Sequence, residues 1–213
     1  MKAPGWKTSR VHFFHYHLVT SQLRDVEARY VGRLGFKLVA RYGRIGEEHL
    51  TVEAGVTWEK LDADGFKLRL SELERGMVNV VIQPGHWEIP RVDHLGVALD
   101  DEEFRAVLAR ANDWNLRIQE HGGRRTFIAT NAGYRLEVHP PRDWLAEMLE
   151  EGREFQLAEL QLRSDEPESK AEALAGLLGL ERDGSSVTVG DTVVSFLPDG
   201  PDGRPELYGE RFA

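Results

Sequence analysis

Two histidines occupy positions in the chain where an aliphatic residue would be expected. His15 lies in the run VHFFHYHLVT and His94 lies in RVDHLGVAL, and both runs have the apolar character of a buried β-strand. A single histidine in such a run is more often a hydrogen-bonded core residue than a ligand. Because the same pattern occurs twice, each time just before a helix, it indicates a shared chemical role for the two imidazoles.

The composition limits what that role can be. The chain of 213 residues contains no cysteine, which excludes disulfides, thiolate zinc sites and cysteine nucleophiles. Any metal must therefore be held by histidine and carboxylate, possibly with tyrosine. The net charge of −9 argues against a nucleic-acid partner and against an anionic membrane surface. We see no signal peptide and no stretch of membrane-spanning length, so we expect a cytoplasmic protein.

The elements that would position these histidines form an internal repeat. Three times, a short apolar run leads six residues later to a residue type that caps helices, and an amphipathic helical pattern follows. Two of these helices end in Leu-Gly plus an apolar residue, where glycine supplies the left-handed conformation that closes a helix. The runs start at His15, His94 and Glu159, the capping residues are Ser21, Asp100 and Asp165, and the closing glycines are Gly35 and Gly179.

Short β-type runs follow each helix, so each unit is a strand, a helix and then two or three strands. In the first unit the runs are KLVARY, GVTWEKL, FKLRLSEL and MVNVVIQP, with DADG at 62–65 as a hairpin turn. The sequence therefore predicts an α+β protein of tandem βαβββ modules. Module 1 covers 10–88 with an insertion at 43–60, module 2 covers 91–141, a linking helix covers 142–154 and a degenerate module 3 covers 155–213.

The order of these motifs resembles the vicinal oxygen chelate superfamily. That superfamily includes glyoxalase I, extradiol dioxygenases, methylmalonyl-CoA epimerase and the bleomycin and fosfomycin resistance proteins. The motifs that carry the resemblance are a histidine leading to the helix that ends in LLGF-like residues, and a glycine followed by a glutamate late in a module. The resemblance implies that two modules pair into a cupped, barrel-like sheet around a ligand site, with the third module extra.

The resemblance also implies a set of metal ligands on the first and last strands of the paired modules. It assigns this role to His15, to His94 and to Glu137 in GYRLE. The family's fourth position falls on Val80 or Val81, and neither side chain can bind a metal. Two histidines and one carboxylate with open coordination sites suit non-haem Fe(II), with Mn(II) possible.

Candidates for proton transfer are further histidines, since an ordinary pKa near 6.5 suits imidazole to acid–base work. His121 is the first candidate, because HGGRRTFIATNAGYRLE resembles the extradiol signature. In that signature the tyrosine position is Ile128 here, and the proline position is Ala132. The other two candidates, His17 and His139, each lie two residues from a ligand.

Strand periodicity places further side chains beside the ligands, because alternate residues of a strand share a face. By this rule Phe13, His15, His17 and Val19 share one face of the first strand, and Arg135, Glu137 and His139 share one face of a later strand. Arg135 is thus a candidate for contact with a substrate. In module 3, Glu159 replaces the histidine and Ser195 lies near the position of the glutamate, so we interpret this module as structural.

These observations favour a metal-dependent enzyme that acts on a small oxygen-bearing molecule, with chemistry like that of an extradiol dioxygenase. Lyase, isomerase and transferase chemistry of the same superfamily remain alternatives. A metal-free protein that binds a small molecule, like the bleomycin resistance proteins, is a second alternative, and a fold retained only for assembly is a third. Because module 3 lacks a partner module, we expect a homodimer in which two third modules pair.

Overall fold

A computed structural model describes residues 11–121, 125–140, 145, 148–149, 152 and 154–213. Four helices and fourteen strands lie wholly within these residues. The helices are α1 (Leu23–Gly32), α2 (Trp58–Ala63), α3 (Asp101–Asp113) and α4 (Pro167–Leu178). The strands are β1 (Val11–Thr20), β2 (Lys37–Ile45), β3 (Glu48–Glu53), β4 (Lys67–Arg75), β5 (Val78–Pro84), β6 (Arg91–Leu99), β7 (Ile118–His121), β8 (Arg125–Ala129), β9 (Arg135–His139), β10 (Leu157–Arg163), β11 (Arg182–Asp183), β12 (Ser186–Val189), β13 (Thr192–Leu197) and β14 (Glu206–Phe212).

The strands form one continuous sheet that is not closed into a barrel. Three groups of strands recur in it, and in each the first strand pairs in parallel with the last: β1 with β5, β6 with β9, and β10 with β13. The first two groups are joined by antiparallel pairing between β1 and β6. The prediction of an α+β protein is therefore confirmed.

The first group carries additional elements between β2 and β4, which are strand β3 and helix α2. Helix α2 corrects the prediction of a strand at GVTWEKL and of a hairpin at DADG, which lies at the end of the helix. The hydroxyl of Thr57 accepts a hydrogen bond from the Lys60 N–H and so begins the helix. The indole of Trp58 donates to the buried Glu27 carboxylate and lies 4.3 Å from the Arg41 guanidinium, which holds α2 against the sheet.

Helix capping follows the prediction at α3 and differs from it at two other helices. Asp100 accepts a hydrogen bond from the Glu103 N–H at 2.8 Å, and Gly35 and Gly179 have the expected positive φ. Helices α1 and α4 begin after Gln22 and Glu166, one residue beyond the predicted Ser21 and Asp165. The reason is local, because a hydroxyl two residues earlier accepts the N–H of the capping residue. These hydroxyls belong to Thr20 and Ser164.

Strand β14 covers an edge of β10, the first strand of the third group. It pairs antiparallel with β10, and the pairing has irregularities at the same two places as the pairing of β6 with β1. Strand β14 thus takes the same position beside β10 that β6 takes beside β1. Its start also reaches β6, where Glu206 lies opposite Arg91.

A buried carboxylate ties β14 to the first group of strands. Glu210 has no exposed side-chain surface, and it accepts hydrogen bonds from the hydroxyls of Tyr16 and Tyr30. Arg29 forms an ion pair with the same carboxylate at 2.5 Å. Burial, together with the Glu210 carboxylate, raises the pKa of both tyrosines well above the ordinary value, so both remain proton donors.

The predicted linking helix at 142–154 lies largely outside the described residues. Leu145 and Leu149 are described, and they pack with Phe14 and Ala98 in a small apolar cluster on the face of the sheet opposite the main core. Within the part of the chain that the structure describes, no helix is both long enough and apolar enough to cross a membrane.

Candidate metal centre

The three predicted ligands come from three neighbouring strands near the centre of the sheet. His94 on β6 lies opposite His17 on β1, and His15 lies opposite Gly96. On the other side of β6, Glu137 of β9 lies opposite the same Gly96. The residues are far apart in sequence, and the pairing of β1, β6 and β9 brings them to one place.

The donor atoms of these three side chains converge. The Nε2 atoms of His15 and His94 are 3.0 Å apart, and the Oε2 atom of Glu137 is 2.9 Å from His94 Nε2 and 3.8 Å from His15 Nε2. Ligands about 2.1 Å from a metal ion and at right angles to each other are about 3.0 Å apart. All three residues are at most 5% exposed. The separations and the burial fit a shared ion.

The outer nitrogen of each imidazole has a hydrogen-bond acceptor. The Nδ1 atom of His15 is 2.7 Å from the amide oxygen of Asn79, and Nδ1 of His94 is 2.9 Å from a carboxylate oxygen of Asp93. A neutral imidazole that donates from Nδ1 has a lone pair on Nε2, and metal-binding histidines are commonly held in this way. Two nitrogen lone pairs and one carboxylate oxygen therefore point at one another, an arrangement that a cation stabilises.

The charge states of the ligands suit metal binding. Burial lowers the pKa of His15 from 6.5 to about 4, and this outweighs the opposing effect of the Glu137 charge. Burial alone would raise the pKa of Glu137, but its contacts with the imidazoles of His139 and His94 hold its pKa below the ordinary value. At neutral pH the centre thus presents the neutral imidazole of His15 and the ionised carboxylate of Glu137, the forms that bind divalent ions.

The outer acceptors are themselves held by further groups. Asp93 forms ion pairs with Arg135 and, at 2.8 Å, with Arg204, which precedes β14. These contacts and the bond to His94 keep the pKa of Asp93 below its ordinary value although burial opposes this. The two imidazoles thus have supports of different charge, since the acceptor for His94 is an anion.

The second support runs from His15 across the first group of strands. Asn79 donates at 3.1 Å to one carboxylate oxygen of Glu72, and the Tyr42 hydroxyl donates to the other at 3.0 Å. These bonds orient the side-chain amide so that its oxygen faces the imidazole. His15 is therefore held by a neutral acceptor that is fixed in turn by a carboxylate.

The sequence shows no family-model match, and no curated protein matches it in sequence. Its fold is similar to a Mn(II)-bound glyoxalase from Novosphingobium aromaticivorans, with 12% identity, a TM-score of 0.55, and coverage of 94% of this chain and 64% of that chain. It is also similar to the 2,3-dioxygenase LapB from Pseudomonas sp. KL28, with 14% identity, a TM-score of 0.54, and coverage of 96% and 75%. It is similar as well to a catechol 2,3-dioxygenase, with 15% identity, a TM-score of 0.55, and coverage of 93% of this chain and 69% of that chain.

The chain has the vicinal oxygen chelate fold. The resemblance predicted from the sequence motifs is confirmed at the level of the fold. The chain spans 64% of the length of the glyoxalase and 75% of the length of LapB, so the activity of those whole proteins is not carried over to it. At identities of 12–15% the chemistry has to be argued from the side chains of this chain.

Register within the vicinal oxygen chelate fold decides which valine takes the fourth position. Glu137 lies opposite Gly96, two residues after the ligand His94. In the first group, the residue opposite His17, two residues after His15, is Val81. The position that the resemblance assigns to a fourth ligand is therefore apolar.

His17 lies beside this centre and has an unusual environment. Its ring centroid is 4.6 Å from that of His94, and His15, His17 and His94 each have a nitrogen within 4.8 Å of the others. Among the described residues, no hydrogen-bond partner reaches its buried Nε2 atom. Burial and the neighbouring histidines lower its pKa well below 6.5. The Nε2 atom of His17 is thus available to a ligand bound beside the centre.

The other candidate histidines have different positions. The Nε2 atom of His139 lies 2.8 Å from Oε1 of Glu137, so this residue orients the carboxylate. His121 is exposed on β7, and the ring of Phe127 lies between it and His94, with centroids 5.5 Å and 5.0 Å away. No described contact joins His121 to the three donors.

Face assignments by simple alternation fail at one point of β1. A register shift between Phe13 and His15 leaves Phe14 as an extra residue, and strand bulges of this kind change which side chains share a face. The Phe14 ring packs edge-on against His139 at 5.3 Å, beside the centre. Phe13 belongs to the main core and lies near Tyr16, so the prediction that it shares the face of His15 is wrong.

The supporting residues of the centre were missed in the sequence, although weak signals for them exist. Asn79 is a polar residue inside the apolar run MVNVVIQP, and Asp93 directly precedes a ligand in another apolar run. A polar residue in an apolar strand is often buried, and a buried polar side chain needs a hydrogen-bond partner. Glu72 and Tyr42 gave no such signal, because their strand faces could be assigned only after pairing was known.

Proposed function

We propose that the chain is a metal-dependent enzyme acting on a small oxygen-bearing molecule, with His15, His94 and Glu137 as the ligands of one divalent ion. The observation that supports this most directly is the convergence of three donor atoms within 3.8 Å, while both imidazoles are held from outside through Nδ1. The donor set of two histidines and one carboxylate favours Fe(II), and Mn(II) is the alternative. When bound, the ion would polarise a coordinated substrate oxygen and, in the case of iron, allow chemistry with O₂.

Among the reactions of this fold, we favour extradiol dioxygenase-like chemistry over isomerase, lyase or transferase chemistry. An apolar Val81 at the fourth position supports this, because three protein ligands leave positions open for a substrate with vicinal oxygens. His17 is the histidine best placed to exchange a proton with a bound substrate, since its Nε2 is buried beside the centre. His139 would keep the carboxylate oriented, and His121 would act only on a part of the substrate that reaches the rim.

Arg135, our sequence-based candidate for substrate contact, has a different role in this proposal. Its guanidinium forms an ion pair with Asp93 and lies over the ring of Phe127 at 4.7 Å. Both contacts occupy the groups that a substrate anion would need. We therefore assign Arg135 to the support of His94.

Elemental analysis of protein purified without oxygen tests the proposal. We expect about one equivalent of Fe or Mn per chain and its loss in His94→Ala, with His49→Ala, an exposed histidine on β3, as the control. A spectral screen of the iron-loaded protein against catechols then tests the reaction. Metal-free protein that still binds an aromatic ligand would favour the alternative of a binding protein like the bleomycin resistance proteins.

The homodimer, the absence of a nucleic-acid partner and the cytoplasmic location stay predictions. In the structure β14 pairs with β10, so this edge of the third group is not available for pairing between copies. Light scattering at micromolar concentration measures the mass directly, and a monomer would exclude the dimer.

A further inference from the structure

Arg125 lies at the open side of the proposed metal centre and has few contacts. It is the first residue of β8, opposite His121 of β7. Because Phe127, two residues on, lies opposite Glu137, the side chain of Arg125 belongs to the face that carries the three ligands. Among the described residues its one ion pair is with Oε1 of Glu137 at 3.9 Å, beyond hydrogen-bond distance, and the side chain is 57% exposed.

The two arginines near the centre therefore differ in what they can still bind. Asp93 and the ring of Phe127 occupy Arg135, which is 34% exposed. Within the part of the chain that the structure describes, the guanidinium of Arg125 has no bidentate partner, and the carboxylate that it approaches already accepts a hydrogen bond from His139 on the same oxygen. Its donors are thus available to a ligand that enters the cup from solvent.

The charge balance of the cup favours an anion in that place. A divalent ion bound to the single carboxylate of Glu137 leaves one positive charge, and Arg125 adds a second. Asp93 is compensated by its two arginines, and both carboxylate oxygens of Glu72 are hydrogen-bonded to Asn79 and Tyr42. Opposite charges next to a partly enclosed metal ion attract strongly because little water separates them.

We propose that Arg125 binds an anionic group of the substrate, so that the substrate class is a small molecule carrying a carboxylate beside the oxygen that binds the metal. This inference rests on the proposed metal centre and narrows it. It also gives Arg125 the substrate contact for which the sequence favoured Arg135.

A pair of probes of equal shape and different charge tests the inference. These are 2-hydroxybenzoate and its neutral amide, 2-hydroxybenzamide, titrated calorimetrically into protein loaded with Mn(II). We expect the wild type to prefer the anion by about tenfold, the value of one charge-assisted contact. Arg125→Gln should reduce this preference several-fold, to the part that the metal ion itself causes, and Arg125→Lys should keep most of it. Arg182→Gln, the same charge change on the distant β11, should behave as the wild type.

The Mn(II) titration that precedes these measurements distinguishes two kinds of failure. If the wild type binds no Mn(II), the proposed metal centre itself is wrong. If Mn(II) binds with the same affinity to wild type and to Arg125→Gln, but the anion does not bind at millimolar concentration or is preferred by the variant as strongly as by the wild type, the centre stands and the role of Arg125 is refuted.

Discussion

Gly96 lies opposite His15 in the pairing of β1 with β6, at a position where no side chain fits. A Cβ atom at Gly96 would be 2.6 Å from Cβ of His15 and 3.1 Å from Cδ2 of its ring. Real Cβ atoms do not approach other carbons this closely, so any substitution must displace the imidazole or the strand. The glycine thus permits the position of one proposed ligand, although it contacts no metal.

Gly96→Ala should therefore lower the affinity for a metal ion, with a smaller effect on the stability of the folded protein. Displacement of the His15 ring moves its Nε2 atom away from the shared point, and we expect roughly a tenfold loss of Mn(II) affinity. Gly55→Ala is the control, because nothing lies within 4 Å of a Cβ there. Calorimetric titration with Mn(II) measures the difference, and equal affinities of the two variants would contradict this account of Gly96.

Each of the three proposed ligands should be necessary for metal binding. One of the converging donors is removed in each of the variants His15→Ala, His94→Ala and Glu137→Ala. Substitution of a residue that only supports a ligand typically lowers metal affinity by up to roughly 100-fold, and we expect a larger loss in these three variants. His49→Ala should retain wild-type metal content. Measurement of metal bound after dialysis against dilute Mn(II) checks this, and a ligand variant that retains stoichiometric metal would exclude that residue from the donor set.

The anionic support of His94 should tune its affinity as a ligand. Asp93→Asn keeps a hydrogen-bond acceptor of similar shape but removes the charge that lies 2.9 Å from Nδ1. We expect roughly a tenfold weaker affinity for Mn(II), because an anionic acceptor raises the basicity of the opposite nitrogen. Asp183→Asn, an exposed residue on β11, serves as the control. An unchanged affinity in Asp93→Asn would show that the charge has no influence on the centre.

The stability of metal-free protein should decrease on acidification because of His15. In the folded protein the pKa of this residue is about 4 rather than 6.5, since burial disfavours the protonated form. Between pH 6.5 and about 4 the unfolded chain therefore binds a proton that the folded protein does not, and stability falls with falling pH by at most about 3 kcal/mol. Below about pH 4 this contribution to the slope ends.

Urea denaturation of chelator-treated protein across that pH range measures this effect. His15→Gln should show a shallower dependence on pH, because it lacks the titrating group. A residual slope is expected from His17, whose pKa is lowered in the same direction. Identical slopes for the wild type and His15→Gln would contradict a neutral, buried His15.

The carboxylate of Glu210 should contribute strongly to stability. Glu210→Ala leaves the buried hydroxyls of Tyr16 and Tyr30 without their acceptor, and we expect a decrease of about 3 kcal/mol in the free energy of unfolding. Glu159→Ala is the control, because its partner Arg211 is 65% exposed and exposed pairs contribute below about 1 kcal/mol. Comparable losses in the two variants, measured by urea denaturation, would refute the role assigned to Glu210.

Local patterns in the sequence predicted much of the architecture correctly. Caps and closing glycines such as Asp100 and Gly179 are determined by hydrogen bonding within a few residues, and they marked the repeated units. Where a neighbouring hydroxyl changed the turn, as Thr20 does before α1, the prediction was off by one residue. GVTWEKL was misread as a strand because the contacts of Trp58 with α1 and β2 are not visible in the local pattern.

By itself, the sequence determined the repeated modules and the absence of thiolate chemistry, and it indicated the three residues that we propose as ligands of one ion. Only the tertiary structure decided that His15, His94 and Glu137 meet within 3.8 Å, that Arg135 is occupied by Asp93, and that Arg125 is left available. The physical reason is that helix caps and side-chain alternation depend on neighbouring residues along the chain. Contacts across β1, β6 and β9 depend instead on strand register, which bulges such as that at Phe14 shift by one residue.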